Sequence, residues 1–211
     1  MRLKTSLAAA GLTAALILTG CAAGGGNDNS SGNGSGAALT IAKPDGAITT
    51  ESHNPYLTDS AGQRYGYAKV IFEPLALVNP TGDLGTTPWL AEKVEWNDDY
   101  TQLTVTPRSG VKWSDGEDFT ADDVVFTFNQ YLTGKLTDTG ALGVTDVTAD
   151  GDTVVLTFSS SKFTSQGRVL HTPIVPEHIW KDIEDPNTDP LTDEGKLVGT
   201  GPYVMSNWST E

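Results

Sequence analysis

Apolar and polar residues alternate in several short stretches of the chain, and this pattern predicts β-strands. In residues 102–106, for example, Leu103 and Val105 alternate with hydroxyl and amide side chains, which is typical of a strand with one buried face. Asp150-Gly151 predicts a hairpin between two such stretches. The predicted strands cover residues 39–42, 75–78, 94–97, 102–106, 144–148, 153–158 and 203–208.

The chain also contains a clear helical pattern in residues 121–132, where apolar side chains recur on one face. Thr120 is a good N-cap, and Asp123 follows it at the spacing of a capping box. Two further helices are predicted at residues 61–72 and 176–183. Many short strands with two or three helices together predict an α+β fold.

The N-terminus has the pattern of an export signal. Arg2 and Lys4 precede an apolar run in residues 7–19, and a positive region followed by roughly 7–15 apolar residues is typical of a secretory signal peptide. A membrane-spanning helix needs about 20 apolar residues, and this run is shorter. The tetrapeptide Leu-Thr-Gly-Cys that ends at Cys21 resembles the bacterial lipobox, whose cysteine receives a diacylglycerol. We therefore predict that residues 1–20 are removed and that Cys21 carries a lipid.

Cys21 is the only cysteine of the chain, which excludes an internal disulfide. The alternative to lipid attachment is an ordinary signal peptide with an incidental cysteine. Residues 22–36 contain only Ala, Gly, Asn, Asp and Ser, so we expect them to be disordered. A coil of this composition and length extends on average about 20 Å. The segment is therefore predicted to tether a domain that begins near Ala37 to a membrane surface.

Acidic side chains outnumber basic ones by 27 to 13 in the whole chain, which gives a formal net charge of −14. Loss of Arg2 and Lys4 with the leader makes the mature chain still more negative. Such a surface repels nucleic acid and anionic lipid headgroups. The lipid, rather than a basic patch, is therefore expected to hold the protein at the membrane, and no nucleic-acid partner is expected.

Motifs for catalysis or metal binding are not evident in the sequence. The three histidines, His53, His171 and His178, lack the spacing of a metal site, so no metal or cofactor is expected. Gly199-Thr-Gly is not followed by the Lys-Ser/Thr of a phosphate-binding loop. Adjacent Asp122 and Asp123 point in different directions on a helix, so they are interpreted as caps rather than as an acid–base pair. Of the five tryptophans, at most one or two are expected to contact a ligand.

Several ordered sequence blocks resemble family 5 of the solute-binding proteins of ABC transporters, the peptide- and oligosaccharide-binding group. The densest block runs from Gly110 to Phe128 and contains Trp-Ser-Asp-Gly followed by the predicted helix. Its two aromatic residues, Trp113 and Phe119, are expected to fix a Ser-Asp-Gly turn to a core. The other blocks are Phe72-Glu-Pro-Leu75, Trp89-Leu-Ala-Glu92, Ile174-Val-Pro-Glu-His-Ile-Trp180 and Val198-Gly-Thr-Gly-Pro-Tyr203.

The resemblance implies part of the first lobe of a two-lobe periplasmic-binding-protein-like fold of class II, or cluster C, with the second lobe absent. On this basis, residues 37–66 begin the first lobe, residues 67–190 form its inserted subdomain and residues 191–211 return to it, in a chain that looks truncated. The resemblance also implies a monomer that is anchored outside the cell membrane and delivers ligand to an ABC permease without chemistry. The ligand-binding residues expected in this portion are Pro44, Asp45 and Gly46, whose backbone would pair with an extended peptide, and Gln63 and Tyr65 facing the cleft.

Peptide is the leading prediction for the ligand, and oligosaccharide is the alternative. Residues 54–57 and 95–100 resemble members of the family that take oligosaccharides. Two predictions from other classes stay open: a secreted lipoprotein enzyme, and a binding or signalling lipoprotein that is not coupled to transport. Detectable turnover of a substrate would favour the enzyme.

Overall fold

The computed structural model describes residues 46–79, 81 and 85–209. Within them, four antiparallel strands form a sheet in the order β3-β4-β6-β5, and β1 and β2 form a second, two-stranded sheet. The strands are β1 (Ala76–Val78), β2 (Thr86–Pro88), β3 (Ala91–Trp96), β4 (Gln102–Pro107), β5 (Val144–Asp150) and β6 (Thr153–Phe158). The predicted hairpin joins β5 to β6, and Gly151 supplies the positive φ of 60° that its turn requires.

Helix α3 (Ala121–Leu132) has the bounds that the sequence predicts. The predicted capping box is confirmed, because Thr120 accepts a hydrogen bond at the helix start and Asp123 accepts one from the Thr120 N–H. The apolar face of α3 packs on the sheet. There Val124 and Phe128 join Leu103, Val105 and Leu156 in a fully buried cluster.

The turn before α3 is fixed in the way that the sequence predicts. Trp113 and Phe119 are both buried, and their ring centroids lie 5.9 Å apart in an edge-to-face arrangement. The Trp113 indole N–H donates to Asp123 Oδ2 over 3.2 Å, and the Glu177 N–H donates to Asp123 Oδ1 over 2.9 Å. Asp123 is only 4% exposed, so the interpretation of this carboxylate as a structural group is correct.

The single helix predicted at residues 61–72 is wrong in its extent. The structure has two short helices, α1 (Ala61–Tyr65) and α2 (Ala68–Ile71). The break lies at Gly66, which has a φ of 83° and whose N–H donates to Gln63 O. This left-handed residue ends α1, because the chain cannot continue an α-helix through a positive φ.

The remaining elements agree in part with the predictions. The helix predicted at residues 176–183 shortens to α5 (Glu177–Trp180), and α4 (Gln166–Leu170) and β2 were not predicted. The strand predicted at residues 203–208 is wrong: in the described part of the chain no strand pairs with this segment, and the Tyr203 N–H instead donates to Val70 O at the end of α2. The strand predicted at residues 39–42 lies outside the described residues.

A second apolar cluster joins the first described segment to the last part of the chain. It contains Ile71 and Phe72 from the end of α2, Val175 and Trp180 at α5, and Leu191. The Tyr56 ring packs against Trp180 with centroids 5.3 Å apart, and its hydroxyl donates to Pro173 O over 2.7 Å. This cluster positions the surface described next.

Candidate ligand-binding site

A cavity of about 360 Å³ opens between the segment that precedes α1 and the segment that follows α5. Its position is fixed by hydrogen bonds between these two segments. The His53 N–H donates to Pro190 O over 2.7 Å, and the Asn54 side chain donates to Pro186 O and Asp189 O. We call this cavity the aromatic cleft; it is lined by Glu51, His53, Leu191, Thr192, Asp193, Leu197 and residues 205–208.

Trp208 is the largest side chain of the aromatic cleft and is partly exposed. Its ring lies 5.6 Å from the His53 ring in an edge-to-face arrangement, and 6.3 Å and 6.5 Å from Tyr65 and Tyr67. Trp208 therefore packs on three aromatic rings from residues 53–67, of which only His53 also lines the cavity. An amphipathic surface of this kind can stack on a sugar ring or on an apolar peptide side chain.

A chain of hydrogen bonds supports the inner side of this aromatic group. His53 is 2% exposed, its Nε2 lies 3.0 Å from Glu51 Oε1, and its Nδ1 lies 2.7 Å from the Tyr67 hydroxyl. Burial raises the pKa of Tyr67, and the nearby Glu51 and Tyr65 raise it further. The Tyr67 phenol therefore stays protonated, which suits hydrogen bonding and does not suit a nucleophile or a base.

The structure brings some of the predicted ligand-binding residues together and separates others. Gly46 is exposed with a φ of 79°, and two residues later the Ile48 N–H donates to the Tyr65 hydroxyl over 2.9 Å. Tyr65 in turn neighbours Trp208 in the aromatic cleft. Gln63 lies elsewhere: it lines a different cavity, and its side chain donates to Pro55 O. Cys21, Pro44 and Asp45 lie outside the described residues.

Glu51, His53, Tyr67 and Trp208 were not singled out as ligand-binding residues by the sequence. Trp208 lies more than 140 positions from the other three, so only the tertiary fold brings them together. The clearest local signal for this aromatic group is the close spacing of Tyr65 and Tyr67. Because a single helix was predicted through both residues, they were expected on different faces, whereas α1 in fact ends between them. Within the described residues, no group of three or more His, Cys, Asp or Glu side chains is arranged to hold a metal ion.

Comparison with known proteins gives the class to which this fold and cleft belong. Residues 85–211 match the sequence model of the bacterial extracellular solute-binding proteins, family 5 Middle. This match covers more than half of the chain. The chain therefore belongs to family 5 of the bacterial extracellular solute-binding proteins, whose members are extracellular or periplasmic.

Individual relatives agree with this assignment. Protein XP55 of Streptomyces lividans is 38% identical over 161 residues, which cover 72% of this chain and 28% of that protein. The oligopeptide-binding protein AppA from Bacillus subtilis, in complex with a nonapeptide, superposes with a TM-score of 0.63 at 22% identity and covers 74% of this chain and 32% of that one. An oligopeptide-binding protein of an ABC transporter from Thermotoga maritima, with mannohexaose bound, gives a TM-score of 0.56 at 35% identity and covers 67% and 26% of the two chains.

These similarities confirm the predicted fold class, an α+β portion of the solute-binding-protein fold. The chain spans about a third or less of the length of the relatives it matches. None of the helices in its described portion has the length and apolar character needed to cross a membrane.

Proposed function

We propose that the chain forms part of the substrate-binding component of an ABC importer and captures an oligopeptide at the aromatic cleft. The observation that carries this proposal is a cavity lined by Trp208, whose ring is supported by His53, Tyr65 and Tyr67, on a member of a solute-binding family. Capture involves no chemistry, and the ligand passes to a permease in the membrane.

The backbone beside the aromatic cleft suits a peptide. Ala47, Thr49 and Thr50 are exposed next to Glu51, which lines the cavity, and Ile48 between them is buried and donates its N–H to Tyr65. An exposed backbone segment beside a cavity can accept a peptide by strand addition, in which backbone hydrogen bonds provide affinity and side-chain pockets provide selectivity. Trp208 and Glu51 then lie where side chains of the peptide would enter the cavity.

An oligosaccharide is the second candidate ligand, and one specific observation favours it. The Thermotoga maritima relative, 35% identical to this chain, holds mannohexaose. The exposed part of the Trp208 ring offers the flat apolar surface on which sugar rings stack. The two candidate ligands would use different contacts. A sugar would stack on the ring of Trp208 without contacting the backbone of residues 47–50, whereas a peptide would use both.

Calorimetric titration of the protein with short extended peptides and with linear mannose oligosaccharides tests the proposal. We expect saturable binding of one class, and we expect Trp208→Ala to weaken it by roughly tenfold or more, since a buried aromatic contact contributes on the order of 1–3 kcal/mol. Trp89→Ala is the matched control, because Trp89 is also a partly exposed tryptophan, at 42%, but lies outside the cleft. Equal losses in the two variants would exclude the aromatic cleft as the ligand site.

The placement of the protein in the cell envelope is part of the same proposal. We propose that residues 1–20 are removed on export, that Cys21 receives the lipid and that residues 22–36 tether a monomeric domain. We also propose residues 37–66 and 191–211 as parts of the first lobe and residues 67–190 as its inserted subdomain. The ring contacts of Trp208 with His53 and Tyr65 support this division, since they join residues 37–66 to residues 191–211.

A further inference from the structure

Two adjoining cavities lie on either side of His171 and share no lining residue with the aromatic cleft. The larger, of about 510 Å³, lies between residues 55–58, the end of α3 and α4. The smaller, of about 270 Å³, lies between α2 and β1. Both include His171 and Pro173, and together we call them the His171 cavities. The larger has a volume typical of small-molecule sites.

The His171 cavities differ in charge from the rest of the protein. Arg168 lines the larger cavity and Lys69 the smaller one, with His171 between them. Neither cavity has an aspartate or glutamate among its described lining residues. In a chain with a formal net charge of −14, a concave surface with only basic charged groups is the exception. Such a surface favours an anionic ligand over a cationic one.

Two side chains of these cavities, His171 and Arg168, have N–H groups that can donate to a ligand. The Val78 N–H donates to His171 Nε2 over 2.9 Å, so the neutral ring carries its proton on Nδ1. Burial lowers the pKa of His171 and nearby Lys69 lowers it further, which keeps the ring neutral near pH 7. Arg168 uses Nη1 to donate to Gly140 O over 3.0 Å, and its guanidinium has further N–H groups.

The walls of the His171 cavities are largely apolar. Leu57, Leu136 and Leu142 contribute to the larger cavity, and Phe72 and Leu77 contribute to the smaller one. An apolar wall with one cationic donor, Arg168, near the neutral imidazole of His171 is complementary to a compound that has an apolar body and one anionic group. Inorganic anions do not match this surface, because they cannot use its apolar part.

We propose that the His171 cavities form a second binding site, for an apolar compound with a single carboxylate. The carboxylate lies against Arg168 and His171, and the apolar body extends along the leucine-lined wall. Two sources provide this chemistry: a free aliphatic acid, or the C-terminus of a short apolar peptide. The proposal does not depend on the ligand of the aromatic cleft.

Titration of the protein with octanoate, with octanamide and with N-acetyl-leucyl-leucine as acid and as amide tests this site. Charge-assisted hydrogen bonds contribute more than neutral ones, so we expect octanoate to bind roughly tenfold or more tightly than octanamide. If the site takes peptide C-termini, the dipeptide acid is expected to bind more tightly than its amide by a similar factor. If it takes free acids, octanoate alone shows the preference.

Arg168→Gln is the informative variant, and Arg108→Gln is its matched control. Both arginines are exposed, and both donate to a backbone carbonyl, Gly140 O for Arg168 and Trp89 O for Arg108. We expect Arg168→Gln to abolish the preference for the carboxylate and Arg108→Gln to leave it unchanged. Equal binding of acid and amide by the wild-type protein, no saturable binding, or equal effects of the two variants would overturn the proposal. Unchanged peptide or oligosaccharide binding by Arg168→Gln separates this result from the test of the aromatic cleft.

Discussion

At the scale of single residues, Asp123 is the residue of the family signature whose side chain joins several elements by hydrogen bonds. One carboxylate accepts from the Thr120 N–H, the Trp113 indole and the Glu177 N–H, and so joins α3, the turn before it and α5. The sequence predicts the first of these contacts, because a capping box is local. It does not predict the third, because Glu177 lies 54 positions away.

Asp123→Ala is therefore expected to lower the free energy of unfolding by about 2–4 kcal/mol, since buried donors lose their acceptor. Chemical denaturation followed by tryptophan fluorescence measures this change. Asp122→Ala is the matched control, because Asp122 is exposed on the same turn and its loss is expected to cost less than about 1 kcal/mol. Equal costs for the two variants would contradict the assignment of Asp123 as the joining residue.

A second prediction at the residue scale concerns pH. Partial burial acts to raise the pKa of Asp115, but hydrogen bonds from His178, 2.7 Å away, and from the Glu117 N–H outweigh it and hold the pKa below its ordinary value of 3.8. The stability that this carboxylate contributes is thus present above that value and is lost as the pH falls through the lower, folded-state pKa.

Asp115→Asn is expected to be less stable than the wild-type protein near pH 5, and the difference is expected to shrink as the pH falls through the lowered folded-state pKa of Asp115. Unfolding curves collected over this range test the expectation. A difference that stays constant, or grows as the pH falls, would show that the Asp115–His178 contact does not depend on the charge of Asp115.

At the scale of elements, the predictions succeed where the local pattern decides the structure. Helix α3 and the β5–β6 hairpin have their caps and turn residues within a few positions, and both form as predicted. The helix at 61–72 is interrupted by a left-handed glycine, and β2, a Thr-Thr-Pro segment, depends on its pairing with β1. The segment 203–208 has a strand-like pattern, but a strand needs a neighbour, and a local pattern does not show one.

The Val198–Tyr203 block gives a prediction at this scale. The backbone at Gly199 and Gly201 lies directly on the end of α2, and the Gly201 N–H donates to Ile71 O over 2.9 Å. A Cβ added at Gly199 would lie 2.0 Å from Ile71 O, which is too close for any side chain. Gly199→Ala is therefore expected to lower the free energy of unfolding by about 2 kcal/mol or more.

Gly195→Ala is the matched control for this substitution. Gly195 lies in the short 3₁₀ helix Glu194–Lys196, and a Cβ added there meets nothing within 4 Å. We expect it to change the free energy of unfolding by no more than about 0.5 kcal/mol, and therefore to shift the thermal midpoint only slightly. If Gly199→Ala unfolds at the same temperature as Gly195→Ala, the close contact with α2 is not needed for the fold.

At the scale of the whole molecule, the proposed lipid attachment at Cys21 gives a prediction about the link between the domain and the membrane. We expect the wild-type protein, expressed with its leader, to incorporate a labelled fatty acid and to fractionate with membranes. Cys21→Ser is expected to abolish the label, since only a thiol accepts the diacylglycerol, and to release the protein from the membrane fraction. Labelling that persists in Cys21→Ser would contradict lipid attachment at this residue.

The aromatic cleft is also a property of the whole molecule. The motifs of the sequence identify the family, but the signature from Gly110 to Phe128 serves the core and not the cleft. Tyr65 and the Gly46 segment were predicted from the resemblance, whereas Glu51, His53 and Trp208 meet only because the chain returns after α5 to the segment where the domain starts. The return of the chain to its starting segment cannot be predicted from a local sequence pattern.

Backbone hydrogen exchange with and without bound ligand tests the central claim most directly. If an extended peptide binds at the aromatic cleft by strand addition, the exchange rates of amides within residues 47–50 are expected to fall at least roughly tenfold in its presence. This protection is expected to disappear in Trp208→Ala and to persist in Trp89→Ala. A bound peptide that leaves residues 47–50 and 205–208 unprotected would contradict the placement of the ligand in this cleft.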